Sequence, residues 1–461
     1  MSESNLQTQK NAAGDKKQSA RPKRKLWRKI LIVLGLLLVL GLGYNAFRSW
    51  QASSQLEAQL AKLRDRGEPL TYDELYAKAL PEDDNAQTWI RRARPHTEQL
   101  NRLLNDYLST EEYQSLRPNV EQMKMLQEAF EQHAEAFIQY ARAAHCSGYQ
   151  FDWRIGAQPA KSLELNLKNS SETRSVLRHC SARAGLLMAE GKFDEALKLG
   201  LQMLDISRRA EHEPMIIGYL VGTACRVLSL NVIARALERS PLTDEQRQQI
   251  DSALADCESA DGFQHALTSE RIYGLASFRA DVFGGPMRSM VMWKFKLDAC
   301  DYLDLMDEMN RLAALPRHAV VDELNGLTDR EVGPLTALVL PALLGARNEH
   351  DRALARVRCV RLLNALQRKS PEGIPDKPAL SELPGTEESR QDPFTGKPLM
   401  VRVTAEAVVV YSVGLNGTDD GGSLDDQEDQ GIRVELKEAE SKVPCAGHHV
   451  RPRRITASNS R

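Results

Sequence analysis

The densest oxygen chemistry in the 461-residue chain lies near its C-terminus, where Asn416, Asp419, Asp420 and Asp425 fall within ten positions. With Asp426 and neighbouring carbonyls they could supply the six to eight oxygens that calcium takes. Set on the EF-hand template, Asn416 in the first place, Asp420 in the fifth and Gly421 in the sixth fit. Thr418 in the third and Gln427 in the twelfth do not, so the expectation is an irregular calcium loop or a solvated acidic loop. Three weaker constellations follow. Asp301, Asp304, Asp307 and Glu308 share one helix face; such a face can bind a metal-diphosphate, but no second acidic cluster stands opposite, and a solvated face is expected. Cys445, His448 and His449 lack a fourth ligand for zinc. His145 and Cys146 have the elements of a nucleophile pair, yet adjacent residues seldom face each other, and a buried pair is expected. No G-x-S-x-G, H-E-x-x-H or Walker A pattern occurs. No catalytic or cofactor-binding residue is assigned, and the residues name no reaction.

The elements around these residues begin with Ile30 to Phe47, 18 residues without a charge. At 1.5 Å per residue a helix of that length spans about 27 Å, close to the hydrocarbon thickness of a bilayer. Trp27 and Trp50 bracket it, and Tyr44 stands near its far end, as interfacial rings do. Lys10, Lys16, Lys17, Arg21, Lys23, Arg24, Lys25, Arg28 and Lys29 precede it, against only Glu3 and Asp15. That asymmetry predicts a cytoplasmic N-terminus and an exported remainder, and no good small-x-small cleavage site follows the apolar run. The chain carries a net charge of −2, so the residues beyond position 29 carry −9, which argues against nucleic acid as a partner. The seven cysteines are scattered without a CxxC, neither a disulfide framework nor a zinc site, and most are expected to be small buried residues.

From Gln51 to about Arg368 the periodicity is nearly all helical. Leu56, Leu60 and Leu63 repeat at i, i+4, i+7 and predict a short amphipathic stalk continuing the membrane helix. Capping boxes predict helix starts at Thr71 with Glu74, Ser109 with Glu112, Thr243 with Gln246 and Thr328 with Glu331. Four prolines within Lys369 to Ser389 read as an extended linker. Beyond it, Leu399 to Val403, Ala407 to Val413 and Ile432 to Leu436 read as strands.

Ser181 to Ser207, with Ala184 and Leu187 on a first helix, Gly191 and Phe193 at a turn and Ala196 on a second, resembles one tetratricopeptide repeat. A repeat-like stack of helical hairpins and an irregular helical domain both remain open. Asp392-Pro393-Phe394-Thr395-Gly396-Lys397-Pro398-Leu399, then Val409-Val410-Tyr411-Ser412-Val413-Gly414 and Asn416 to Gly422, resembles the C-terminal segment of type II secretion major pseudopilins. The resemblance implies a turn, a strand and a Gly/Asp-rich loop that binds calcium. The pseudopilin leader, methylated Phe and assembly Glu have no counterpart around Ile30, so a borrowed module is expected, not a filament subunit. Bacterial single-pass proteins with helical bodies carry a similar segment, and that resemblance implies no activity.

The expected fold is therefore mainly α: a single N-terminal transmembrane helix, a helical-hairpin, repeat-like body and a small C-terminal antiparallel β module. Residues 1–29 are a basic cytoplasmic tail, 30–47 the span, 48–368 the exported body, 369–390 the linker, 391–440 the β module and 441–461 a flexible tail. The expected function is that of a non-enzymatic scaffold of the bacterial inner membrane, touching the lipid bilayer and other envelope proteins. An envelope hydrolase with an unrecognised site and a secretion-system accessory protein are the alternatives.

Overall fold

The chain was described from a computed structural model, in residues 23–150, 159–239, 242–279, 287–370, 374–375, 378–383, 385–424 and 429–435. Most of the N-terminal basic tail, Asp425 and the C-terminal tail with Cys445, His448 and His449 lie outside these residues.

The first helix is far longer than its apolar segment. Helix α1 (Lys23–Asp65) carries exposed leucines, isoleucines and valines from Ile30 to Phe47, then changes character without a break. Ala52, Leu60 and Leu63 are buried, and the two leucines pack on Leu70, Leu275 and Leu303. The Leu56-Leu60-Leu63 stripe therefore belongs to a helix docked on the body, not to a free stalk. Next come α2 (Tyr72–Leu75), α3 (Ala86–Leu104), α4 (Glu111–Gln114), α5 (Val120–Gln132) and α6 (Ala134–His145). The body continues with α7 (Pro159–Ala189), α8 (Phe193–Ala210), α9 (Met215–Arg239) and α10 (Asp244–Ala255). It is completed by α11 (Asp261–Arg279), α12 (Met287–Ala313), α13 (Arg317–Gly326) and α14 (Pro334–Lys369).

Helices α7 and α8 form an antiparallel hairpin that turns at Gly191, whose φ of 75° lies in the left-handed region favoured by glycine. Phe193 begins α8 and is partly buried against the core. The organising element is α9. It touches α7, α8, α11, α14 and the sheet, and Cys225, Leu230, Val232 and Ile233 on it are fully buried.

Caps follow the sequence in part. Thr243 and Gln246 form a reciprocal capping box on α10, and the Thr71 side chain accepts from the Glu74 N–H on α2. Thr110, one residue beyond Ser109, caps α4. No α-helix starts at Thr328; a single 3₁₀ turn occupies Leu327–Asp329, and α14 begins at Pro334. Its first amides are satisfied from another helix, with Leu335 and Thr336 N–H donating to the buried Asp298 carboxylate at 2.8 and 3.0 Å. The local box lost because a distant carboxylate caps the next turn.

At the C-terminus, β1 (Met400–Val403), β2 (Ala407–Ser412) and β3 (Gln430–Glu435) form an antiparallel sheet in sequence order, with Val401 opposite Val410 and Val410 opposite Ile432. Val408, Val410, Ile432 and Val434 join the same apolar core as Val360, Leu362 and Leu363 of α14, so the sheet is a wall of the body. Ile374 and Leu383 from the Pro-rich stretch are buried in that core as well.

Candidate functional site

The residues singled out for metal chemistry occupy a loop with a structural task. Asp419 accepts from the Tyr411 hydroxyl and from the Gly421 N–H, both at 2.9 Å. Asp420 accepts from Asn416 Nδ2 at 2.9 Å, and the Asn416 side-chain oxygen accepts from the Thr418 N–H. Gly422 lies so close to Tyr411 and Val409 that a Cβ there would stand 3.2 Å from each. The loop thus closes over the outer face of β2. Among the described residues, no group of three or more His, Cys, Asp or Glu side chains is placed to hold a metal ion; Asp425 is not among them.

The turn from Asp392 to Leu399 is organised by Asp392, which is 2% exposed. Its carboxylate accepts from the Phe394 N–H, the Ser412 hydroxyl and the Val413 N–H, tying the D-P-F turn to the end of β2. Gly396 (φ 70°) packs against the His318 ring on α13, where a Cβ would come within 2.8 Å of a ring carbon. The motif residues are therefore a clamp between turn, strand and helix.

The remaining sequence candidates come apart. His145 is exposed while Cys146 is buried, its thiol donating to the Arg142 carbonyl at 3.4 Å. The acidic face of α12 is not simply solvated. It receives α1, with Gln59 Nε2 donating to Asp304 at 2.8 Å and Arg66 pairing with Asp307 at 2.6 Å. Among the described residues, six cysteines are buried free thiols.

The structure instead assembles a site where α8 turns into α9. A cavity of about 720 Å³ lies there, within the range usual for ligand pockets, with Tyr76, Arg209, Glu211, His212, Arg226 and His265 among its walls. Glu211 and Arg226, 3% and 2% exposed, form a buried ion pair, and Arg226 also donates to the Cys257 carbonyl at 3.1 Å. Burial pushes the Glu211 carboxyl up against the pull of Arg226. Glu211 Oε1 and Arg226 Nε are buried with no hydrogen-bond partner in the protein. His265 meets the Tyr76 hydroxyl at 3.3 Å and lies 5.5 Å from the His212 ring. Burial lowers His265 to about 4, so the ring is neutral at neutral pH.

The corner behind the cavity is built with care for its carboxylates. Gly222 and Gly218, one turn apart on α9, leave room for Glu211 and Glu213; a Cβ would come within 2.8 and 2.9 Å of their atoms. Glu213 is 1% exposed and accepts from Ser170 at 3.1 Å; burial raises it to about 8, so it is a neutral acid at neutral pH. Met215 has a φ of 67°, unusual for a residue with a side chain. Its N–H donates to Ser269 Oγ at 2.7 Å and the next amide donates to Glu270 at 3.0 Å. These two bonds from α11 hold the strained corner in place. Of the serines in the cavity walls, the Ser147 hydroxyl donates to Asp84 and that of Ser259 accepts from the Asp261 N–H.

In the sequence this site is hidden, because Glu211-His212-Glu213-Pro214 has the composition of a hydrophilic turn. Its signal is spread out: Gly218 and Gly222 at helical spacing, and the polar stripe Ser162, Asn166, Ser170 and Thr173 on α7, all buried.

Compared with known proteins, the chain matches no family model, no curated protein and no solved structure.

Proposed function

We propose that the protein is a single-pass, membrane-anchored scaffold of the bacterial cell envelope, which holds its helical body at a fixed height over the outer face of the inner membrane. The observation that carries this reading is the split character of α1. Eighteen uncharged residues with no buried share run without interruption into a segment whose leucines are core. A rod that is apolar and bare at one end and packed at the other anchors and orients in one piece. The basic N-terminal tail orients it with the N-terminus in the cytoplasm. Partners are other envelope proteins and the lipid bilayer.

The test is the mass and partition of the mature chain: after alkaline carbonate extraction the full-length mass remains in the membrane pellet, and external protease on spheroplasts digests the body. Release of a soluble form beginning near residue 48 would overturn it. Crosslinking in intact cells then recovers envelope proteins.

A second reading, an envelope hydrolase, is favoured by the cavity, where Glu211 would face a substrate and the neutral acid Glu213 stands behind it. Glu211→Gln separates the two: it abolishes turnover in a hydrolase and leaves partner capture intact in a scaffold.

A further inference from the structure

The seam between α1 and α12 fixes how close the body stands to the bilayer. The two helices run parallel, because the contacts advance together along both: Arg48 stacks on Trp293 at 4.7 Å, Lys296 donates to Ser53 at 2.7 Å, Gln59 to Asp304 at 2.8 Å, and Arg66 to Asp307. The sequence separation stays at 243, 245 and 241 through the last three. Extended to the start of α12, an offset of about 244 sets Met287 level with Gly43, about 6 Å on the membrane side of Phe47 at 1.5 Å per residue. Helix α12 therefore begins inside the slab that α1 is proposed to cross.

The composition at that level suits a bilayer surface. Tyr44, Phe47 and Trp50 stand exposed on α1, and Trp293 is half-buried on α12. Lys294 is exposed with its ammonium 5.6 Å from the Trp293 ring. The first turns of α12 read Met287-Arg288-Ser289-Met290-Val291-Met292, apolar with one cation and no acid. Rings at headgroup depth with cations beside them are the composition of interfacial helices.

We propose that the N-terminal turns of α12 form a second, monotopic membrane contact that enters the outer headgroup layer beside α1. This rests on α1 being a membrane span. Two attachments on one rigid seam stop the body from swivelling about the anchor, so the α8–α9 cavity keeps one orientation to the membrane.

The test uses the full chain with Cys445→Ser, in lipid nanodiscs, with one nitroxide at a time on Ser289→Cys, Leu36→Cys or Glu245→Cys, the last on the exposed first turn of α10. Power saturation with oxygen and with a nickel chelate reads depth. The Leu36 label is expected deep in the bilayer, the Glu245 label in water, and the Ser289 label severalfold less accessible to nickel than Glu245. A Ser289 label as open to nickel as Glu245, with Leu36 deep, would overturn the α12 contact and leave the anchor standing. A water-exposed Leu36 label would overturn the anchor and this inference with it. Should Ser289→Cys misfold, brominated-lipid quenching compared between the unlabelled wild type and Trp293→Phe reads the same contact, with less quenching expected in the variant and equal quenching counting against the contact.

Discussion

Helices α1 and α9 are each long and apolar enough to cross a bilayer, yet none of the apolar window of α1 is buried in the protein, whereas 61% of that of α9 is. Composition alone cannot separate them. What separates them is the placement of charge and of partners. Helix α1 has no charge from Ile30 to Phe47 and its apolar window stays unburied, while α9 carries Arg226 in its middle, paired to Glu211, and is enclosed by four helices and a strand. A charge inside an apolar helix is tolerated where the protein supplies the counter-ion, and its presence is the better guide to a core helix.

The comparison can be broken from the α9 side first. Replacing Arg226 with Leu leaves Glu211 buried without its partner, and urea unfolding in detergent is expected to register a loss of about 3–5 kcal/mol. The matching change on α1, Leu37→Arg, puts a charge in the middle of its apolar run. It is expected to cost about 3 kcal/mol of membrane insertion, seen as a shift from pellet to supernatant after carbonate extraction, with the unfolding midpoint of the body unchanged. A changed midpoint would mean that the apolar half of α1 packs on the body after all.

The corner at the head of α9 adds a pH signature. Folding raises the Glu213 carboxyl to about 8 from an ordinary value near 4.5, so the folded state holds a proton that the unfolded state has released. The associated stability is complete below about 4.5 and is lost as pH rises through about 8. Between pH 6 and 8 the wild type should lose up to about 2 kcal/mol from this group, at a limiting slope of about 1.4 kcal/mol per pH unit. Glu213→Gln should flatten that slope, and an unaltered slope would assign the effect to Glu211 or Glu270, which burial also raises. The smallest effect belongs to the seam between α1 and α12: Gln59→Ala removes the exposed bond to Asp304 and should lower the free energy of unfolding, read by urea titration, by about 0.5–1 kcal/mol.

Much of this architecture was legible in the residues. The strands and the Thr243 box depend on neighbours in sequence, and they appear within a residue or two of where the pattern put them, whereas the apolar run lies inside a helix that extends well beyond it at both ends. Long-range partners were not legible. Asp298 caps α14 from another helix, Asp304 and Asp307 of an apparently solvated face hold α1, and the sheet expected as a separate module shares the core of α14. The cavity was hidden for the same reason, since Glu211 and Glu213 become buried acids only when α7, α9 and α11 converge on them.

The claim that one apolar helix spans the membrane while the other is core is tested most directly by photolabelling the full chain in nanodiscs with a carbene precursor dissolved in the lipid. Peptides covering residues 30–47 should carry the label and those covering 215–239 should not. Label on the α9 peptides, or none on residues 30–47, would contradict the account.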